Sequence, residues 1–323
     1  MEGVPAALHA LLSSKGICVL DGGLASELQA RGADLTDRLW SARLLIKNPE
    51  AIRQVHLDYF AAGANVAISA SYQATFEGFA EGGIDRDRAA GLMRRSVELA
   101  RSAAAEHHEQ QPAGPRPLVA ASVGPYGAML ADGSEYVGRY GLSVGELREF
   151  HRPRLETLLE AEPDLLAVET IPAIEEAEAI LGLLEDLPGT HAWVSFSCGG
   201  ADRINDGTPF VDAVRLAASS DRVVAVGLNC TPPGFAAELL RRAADVTAAP
   251  LMAYPNEGGV WDPVARTWTL GPDPRPDFGA LAPMWRDAGA TIIGGCCGTG
   301  PRDVTAIARS LAIPPPIRSS PDE

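Results

Sequence analysis

Eight short apolar segments, each followed by an amphipathic segment, recur along this chain of 323 residues. The apolar segments are rich in β-branched residues and do not alternate with polar ones, which is typical of strands buried on both faces. They lie at residues 18–21, 66–69, 118–122, 165–169, 193–197, 225–229, 251–254 and 291–294. Eight strand–helix units in series predict an α/β fold, a single (β/α)8 barrel of the TIM type. An open doubly wound sheet is the alternative.

The segments between the strands predict helices, because many open with proline or an acidic residue and repeat apolar residues at helical spacing. They lie at 49–62, 85–104, 144–161, 174–187, 210–218, 234–246, 277–288 and 301–311. We therefore expect residues 1–323 to form a single domain with a barrel core at about 18–311. Residues 106–116 are predicted to be a loop and the tail at 312–323 to be disordered. A dinucleotide-binding fold would carry the motif GxGxxG after the first strand, but Asp21 and two glycines stand there instead. This disfavours a dinucleotide-binding fold.

The composition excludes several classes of protein. The chain has 27 basic and 42 acidic residues, a net charge of −15, which argues against nucleic-acid or anionic-membrane binding. No apolar run approaches the ~18 residues of a membrane span. Its lysines, Lys15 and Lys47, lie away from the predicted strand ends, which disfavours Schiff-base chemistry. Five cysteines, an odd number, favour free thiols in a reducing compartment, and we expect the cytoplasm.

Three cysteines stand where functional residues of a barrel gather, at the carboxyl ends of strands. Cys230 ends the sixth predicted strand, and Cys296 and Cys297 follow the eighth. Three thiolates on one rim predict a zinc site with an open fourth position, the pattern of catalytic rather than structural zinc. Cys18 lies inside a strand, and Cys198 has no second cysteine framed with it by glycines. Both are therefore predicted to be packing residues.

Other interpretations of these cysteines remain. They could be small buried apolar residues, or residues 294–300 could form a phosphate-binding loop, although that loop contains no lysine or arginine. A disulfide between adjacent cysteines is a weaker alternative because it is strained.

The chemistry of such a site favours thiol alkylation. A zinc ion with three thiolate ligands carries a formal charge of about −1 and activates water poorly. It is suited to bind an incoming thiol and remove its proton, because a coordinating thiol is deprotonated. The bound sulfur is then a nucleophile at neutral pH.

Several motifs resemble those of the homocysteine S-methyltransferases, a family of zinc-dependent (β/α)8 enzymes. They are LDGGLASELQARG at 20–32, LWSARLLIKNPEAIRQVHLDYFAAGA at 39–64, ISASYQATFEGF at 68–79, SVGPYGAMLADGSEY at 122–136, GLNC at 227–230, YPNEG at 254–258 and IIGGCCGTGP at 292–301. The resemblance extends over nearly the whole chain. The ASYQAT and DGSEY stretches resemble the branch that uses S-methylmethionine or S-adenosylmethionine as methyl donor.

The resemblance implies one Zn²⁺ per chain, held by Cys230, Cys296 and Cys297. Asp21 and Glu169 match the carboxylates that hold the amino group of homocysteine.

Gly22 lies against the same substrate in the family, and Tyr72 matches a position that can supply an oxygen ligand when substrate is absent. The implied reaction moves a methyl group from a sulfonium donor to the homocysteine thiol and gives methionine, with no general acid or base.

Three alternatives stay open from the sequence. They are a betaine-dependent homocysteine methyltransferase, a phosphate-handling barrel lyase or isomerase, and a non-catalytic zinc- or thiol-binding protein. The betaine-using branch typically has a longer C-terminal extension than this chain. The expected partners are small-molecule substrates, with no nucleic acid, membrane or obligate protein partner.

Overall fold

The computed structural model describes residues 6–35, 40–262, 267–269 and 274–312. Its central sheet has eight parallel strands, numbered here with a separate hairpin in chain order. They are β1 (Cys18–Val19), β2 (Val66–Ile68), β3 (Leu118–Val123), β4 (Leu165–Ile171), β5 (Ala192–Phe196), β6 (Val223–Asn229), β7 (Leu251–Tyr254) and β10 (Ala290–Ile293). The hairpin pairs β8 (Val260–Asp262) with β9 (Thr267–Thr269). Strand order in the sheet is β1-β10-β7-β6-β5-β4-β3-β2.

The two ends of this sheet are joined. Leu20 forms a parallel bridge with Val66, and the backbone N–H of Asp21 donates to the carbonyl of Val66 at 3.1 Å. The N–H of Asn65 donates to the carbonyl of Val19 at 2.7 Å. The sheet therefore closes on itself as a (β/α)8 barrel, and the alternative of an open doubly wound sheet is wrong.

The helices surround this barrel. They are α1 (Ala6–Lys15), α2 (Leu24–Ala30), α3 (Trp40–Lys47), α4 (Pro49–Ala61), α5 (Phe76–Glu81), α6 (Arg86–Gln110), α7 (Tyr126–Leu130), α8 (Val144–Leu159), α9 (Ile174–Asp186), α10 (Phe210–Ala218), α11 (Pro233–Ala244), α12 (Phe278–Asp287) and α13 (Pro301–Leu311). A helix that follows a strand runs back antiparallel to it, so its N-terminus lies at the rim where that strand ends. None of the described helices has the length and apolar character needed to cross a membrane.

The predicted strands are confirmed to within two residues at each end. Each predicted helix is present, but α6 continues to Gln110, so the predicted loop at 106–116 is wrong for its first residues. No glycine or proline occurs between Gly91 and Pro112, and the helix continues up to that turn. Of the predicted disordered tail, residues 313–323 lie outside the described residues.

A closed barrel must fill its interior with side chains, and α1 contributes to that filling. Leu8 and Leu11 of α1 are buried in the same apolar cluster as Cys18, Val66 and Leu118, which open their strands. The helix therefore covers the N-terminal end of the barrel. The sequence does not predict α1, because its apolar and polar residues are mixed over a short stretch. Cys18 is fully buried in this cluster, in agreement with its predicted packing role.

Candidate active site

Cys230, Cys296 and Cys297 converge at the carboxyl-terminal rim of the barrel. Their sulfur atoms all lie within 4.8 Å of one another, with 3.6 Å between the Sγ atoms of Cys230 and Cys297 and 4.0 Å between those of Cys296 and Cys297. These distances are too long for a disulfide, and the thiols are free. A tetrahedral metal with bonds of about 2.3 Å to sulfur places its ligands about 3.8 Å apart. The three thiols therefore fit a metal ion of that geometry.

Sheet order explains why residues so distant in sequence meet. β6 carries Cys230 and β10 precedes the cysteine pair, and β7 alone separates these two strands. The loop after β10 is tied to the loop after β7. The N–H of Cys296 donates to the carbonyl of Pro255 at 2.8 Å, and the N–H of Glu257 donates to the carbonyl of Cys297 at 3.0 Å. These hydrogen bonds fix the backbone that presents the sulfur atoms.

Gly295 is required by close packing immediately before the cysteine pair. A Cβ at this position would overlap the side chain of Thr299, which is fully buried. The hydroxyl of Thr299 donates to the carbonyl of Cys296 at 2.6 Å. A larger residue at Gly295 would therefore displace the turn that carries Cys296 and Cys297.

The side chain of Asn229 connects the ends of β6 and β4. Its Oδ1 accepts hydrogen bonds from the N–H of Thr170 at 2.6 Å and from Oγ of Ser195 at 2.9 Å, and its Nδ2 donates to Oγ1 of Thr170 at 2.7 Å. Thr170 and Cys230 have left-handed backbones, with φ of 61° and 46°. Such a conformation is strained for a β-branched residue and is held by its surroundings.

Two buried carboxylates, Asp21 and Glu169, lie at the same end of the barrel. Oδ2 of Asp21 accepts from the N–H of Ile68 at 2.8 Å, while Oδ1 is buried and has no hydrogen-bond partner among the described residues. Glu169 accepts from the hydroxyl of Ser122. No arginine or lysine side chain hydrogen-bonds either carboxylate within the described ranges.

Burial dominates the electrostatics of both carboxylates. Desolvation raises the pKa of Asp21 well above its usual range, and the nearby charge of Glu169 adds to that rise. Burial raises the pKa of Glu169 to about 7, although hydrogen bonds from Ser122 and Tyr254 oppose the shift. A cation placed beside these groups would favour their ionised forms, so the arrangement suits a ligand that carries an ammonium group.

A cleft of about 120 Å³ opens between these groups. It is lined by Gly22, Gly23, Leu24, Ala25, Ile68, Ser69, Ala70, Tyr72, Gln73, Ser122, Glu169, Tyr254, Gly295, Cys296 and Cys297. The cleft thus brings together predicted site residues from the loops after four different strands. Asp21 adjoins it through Gly22, and Cys230 adjoins it through the sulfur of Cys297. Cys198 is buried elsewhere on the rim and does not belong to the cysteine cluster.

Tyr136 is a site residue that the sequence analysis missed. Its hydroxyl lies 3.4 Å from Sγ of Cys230, and it belongs to the single helical turn Ser134–Tyr136 in the loop after β3. Tyr136 is the last residue of the DGSEY motif, but nothing in that motif indicates which side chain faces a cysteine. Tyr254 was also missed. Its hydroxyl accepts from Nε1 of Trp193 at 3.1 Å and supports Glu169 from inside the barrel.

Comparison with known proteins agrees with this geometry. The family model described as homocysteine S-methyltransferase matches residues 18–311. The chain belongs to the homocysteine S-methyltransferase family. It is 47% identical over 307 residues to homocysteine S-methyltransferase YbgG of Bacillus subtilis, covering 93% of this chain and 97% of that protein. It is 48% identical over 300 residues to the homocysteine S-methyltransferase of Escherichia coli, with the same coverage of each chain.

Solved structures give the same result. The metallated form of the E. coli homocysteine methyltransferase MmuM superposes with a TM-score of 0.86 at 46% identity, covering 94% of this chain and 99% of that one. Its oxidized form superposes with a TM-score of 0.85. The predicted family and fold are therefore confirmed, and membership decides against the phosphate-handling lyase or isomerase.

Proposed function

We propose that this chain transfers a methyl group from a sulfonium donor to the thiol of L-homocysteine and so forms methionine. The proposal assigns one Zn²⁺ to the three cysteines, and Asp21 and Glu169 to the ammonium group of homocysteine. The observation that carries it is the position of three convergent thiols and two buried carboxylates around one cleft.

Zinc, when bound by Cys230, Cys296 and Cys297, supplies the Lewis acidity that turns an incoming thiol into a thiolate at neutral pH. The chain supplies the rest. The ionised carboxylates of Asp21 and Glu169 hold the substrate ammonium and so fix the direction of the amino-acid chain toward the cysteines. Gly22 lines the cleft beside these groups, and glycine is required there by packing, because a Cβ would lie 2.9 Å from Oγ1 of Thr299.

The methyl transfer itself needs no proton donor from the protein. The homocysteine sulfur forms a bond to the methyl carbon while the bond from that carbon to the sulfonium sulfur breaks. The donor leaves as a neutral thioether, and the thiol proton passes to solvent. No histidine or lysine is among the residues that line the cleft, in keeping with this chemistry. The protein's contribution is to orient the two sulfur atoms and to exclude water.

The aromatic residues near the cysteines support a cationic donor. Tyr72 lines the cleft and Tyr136 contacts Cys230, so rings stand beside the position where a methyl sulfonium must approach the thiol. Aromatic faces attract such cations. Among sulfonium donors we favour S-methylmethionine, with S-adenosylmethionine as the second candidate. The alternative is betaine, whose methyl groups are on a quaternary nitrogen.

The test combines metal analysis with a parallel assay. Purified protein is expected to contain one zinc per chain and to convert homocysteine with S-methylmethionine, and less or not at all with betaine. Cys230→Ala and Cys297→Ser should lose both zinc and activity. Cys198→Ala is the matched control, because this cysteine is as buried as Cys230 but lies outside the cluster. Zinc-free protein that retains full turnover would refute the metal assignment.

A further inference from the structure

Arg154 of α8 is a buried arginine whose hydrogen bonds go to the backbone of two rim loops. It is 1% exposed. Its Nη1 donates to the carbonyl of Gly124 at 2.8 Å, and its Nη2 donates to the carbonyls of Ser71 at 2.9 Å and Tyr72 at 2.6 Å. A single guanidinium therefore joins the loop after β2 to the loop after β3.

This contact is costly, which argues that it has a purpose beyond packing. No carboxylate forms an ion pair with Arg154 in the part of the chain that the structure describes, and its Nε has no hydrogen-bond partner there. Burial lowers the pKa of Arg154 to about 10, and the group still carries its charge at neutral pH. The charges of Glu176 and Glu169 oppose this shift, although neither forms an ion pair with the guanidinium. A buried charge is unfavourable unless its hydrogen bonds are well made. Here carbonyl dipoles alone provide them.

The geometry of α8 explains how the side chain reaches the rim. The helix begins at Val144 with a capping box between Ser143 and Glu146, and this N-terminus lies at the carboxyl-terminal rim. Side chains of an α-helix lean toward its N-terminus. Arg154, in the third turn, therefore extends up toward the loops from outside the barrel. A planar fork with several N–H donors is suited to carbonyls that belong to different loops.

The loops that Arg154 joins carry the cleft wall. Tyr72 lines the cleft, and Gly124 packs directly against it, because a Cβ at Gly124 would lie 2.6 Å from the tyrosine ring and from its carbonyl oxygen. The ring of Tyr72 is thus held between the backbone of Gly124 and the main-chain contact with Arg154. A change at Arg154 would be transmitted to the ring without touching the cysteines.

We propose that Arg154 is a positioning residue for methyl transfer, which sets the place of the Tyr72 ring in the cleft. It acts through the main chain of the two loops and touches neither substrate. The proposal rests on the proposed function, since it assigns Tyr72 to the site where donor and homocysteine meet. Loss of the guanidinium should misplace the ring while the three cysteines and their zinc remain.

The variants Arg154→Lys and Arg154→Met test this role, with Arg152→Met as the matched control. Arg152 lies on the same helix, is partly exposed and pairs with Asp186 at the surface. We expect Arg154→Met to keep its zinc and to lose kcat/KM by about 10- to 100-fold, the usual result of misplacing a reacting group by about 1 Å. Arg154→Lys should fall between it and the wild type. Arg152→Met should match the wild type.

A double-mutant cycle separates positioning from general support of the fold. In a Tyr72→Ala background the ring is absent, so Arg154→Met should change kcat/KM by less than about threefold. Gly124→Ala, which keeps the guanidinium but presses on the ring and carbonyl of Tyr72, should reproduce the loss.

Three results would overturn the proposal. They are full kcat/KM in a folded Arg154→Lys or Arg154→Met protein, equal losses in both backgrounds of the cycle, or failure of both Arg154 variants to fold. The first two would show that Arg154 does not act through the Tyr72 ring, and the third would show a role in stability. An inactive wild type would instead refute the proposed function, so the two failures are distinguishable.

Discussion

Asn229 and Thr170 form a pair of hydrogen bonds that joins the cysteine side of the cleft to its carboxylate side. Thr170 directly follows Glu169, and Asn229 directly precedes Cys230. The amide both accepts from the backbone and donates to the hydroxyl of Thr170. Thr170 and Cys230 both have left-handed backbones that their surroundings hold in place. The pair therefore keeps the carboxylate of Glu169 and the thiol of Cys230 at a fixed separation.

Replacing Asn229 with Ala should weaken both halves of the site. The buried N–H and hydroxyl of Thr170 lose their partners, which costs about 1–3 kcal/mol of unfolding free energy. We expect weaker zinc retention against a chelator and a higher KM for homocysteine. Asn65→Ala is the control, because Asn65 accepts from the N–H of Val19 at 2.9 Å at the opposite end of the barrel. Normal zinc affinity in Asn229→Ala would contradict the prediction.

Asp21→Asn should separate substrate binding from metal binding. The substitution preserves size and removes the charge that faces the substrate ammonium, so KM for homocysteine should rise about 10- to 100-fold while zinc content stays at one per chain. Asp164→Asn is a close control. Asp164 also accepts a hydrogen bond from a strand N–H, that of Val119 at 2.8 Å, at the far end of the barrel. Unchanged homocysteine affinity in Asp21→Asn would remove this residue from the substrate site.

Gly295→Ala should disturb the cysteine turn. The added methyl group overlaps Thr299, so the turn must shift and its sulfur atoms separate. We expect substoichiometric zinc by metal analysis and at least about a tenfold loss of activity. Gly234→Ala provides the comparison, because a Cβ at that helical position meets open space and alanine favours a helix. Stoichiometric zinc in Gly295→Ala would show that the turn tolerates the shift.

His56 predicts a specific loss of stability in acid. It is fully buried in α4, and neither ring nitrogen has a hydrogen-bond partner among the described residues. Burial lowers its pKa from 6.5 to about 4. The folded state therefore favours the neutral ring, and this contribution to stability is complete above pH 6.5 and is lost as the pH falls toward 4.

The expected loss is about 3 kcal/mol of unfolding free energy at pH 4, because the pKa of the ring is 6.5 when exposed and about 4 in the folded protein. Denaturant unfolding at pH 7 and pH 4 measures it. His56→Leu should be less sensitive to acid than the wild type, because the leucine cannot take up a proton. An identical pH profile for the two proteins would mean that other groups control the acid limb.

The barrel and the cysteine cluster were predictable because both depend on local patterns. Each strand is indicated by a short run of apolar, often β-branched residues, and the residues at the carboxyl ends of parallel strands meet at one rim of a barrel. Cys230 and the cysteine pair could therefore be placed together although 66 positions separate Cys230 from Cys296. The same logic placed Asp21 and Glu169 beside them.

Contacts made by long loops could not be predicted in this way. Tyr136 reaches Cys230 from the loop between β3 and α8, whose path depends on tertiary packing rather than on periodicity. The role of Arg154 could not be predicted from the sequence either. A helical arginine pattern does not reveal whether its guanidinium faces solvent or the carbonyls of two loops. The first helix, α1, was missed because its apolar residues are few and its role is set by the barrel it covers.

Because α1 covers the N-terminal end of the barrel, it restricts the route by which substrates and products reach the cleft. With Leu8 and Leu11 packed under the strands and the interior filled, the described part of the chain leaves the cleft open toward the carboxyl-terminal rim. Both substrates must then use that same entrance. Under the proposed function, the products must leave by that opening as well.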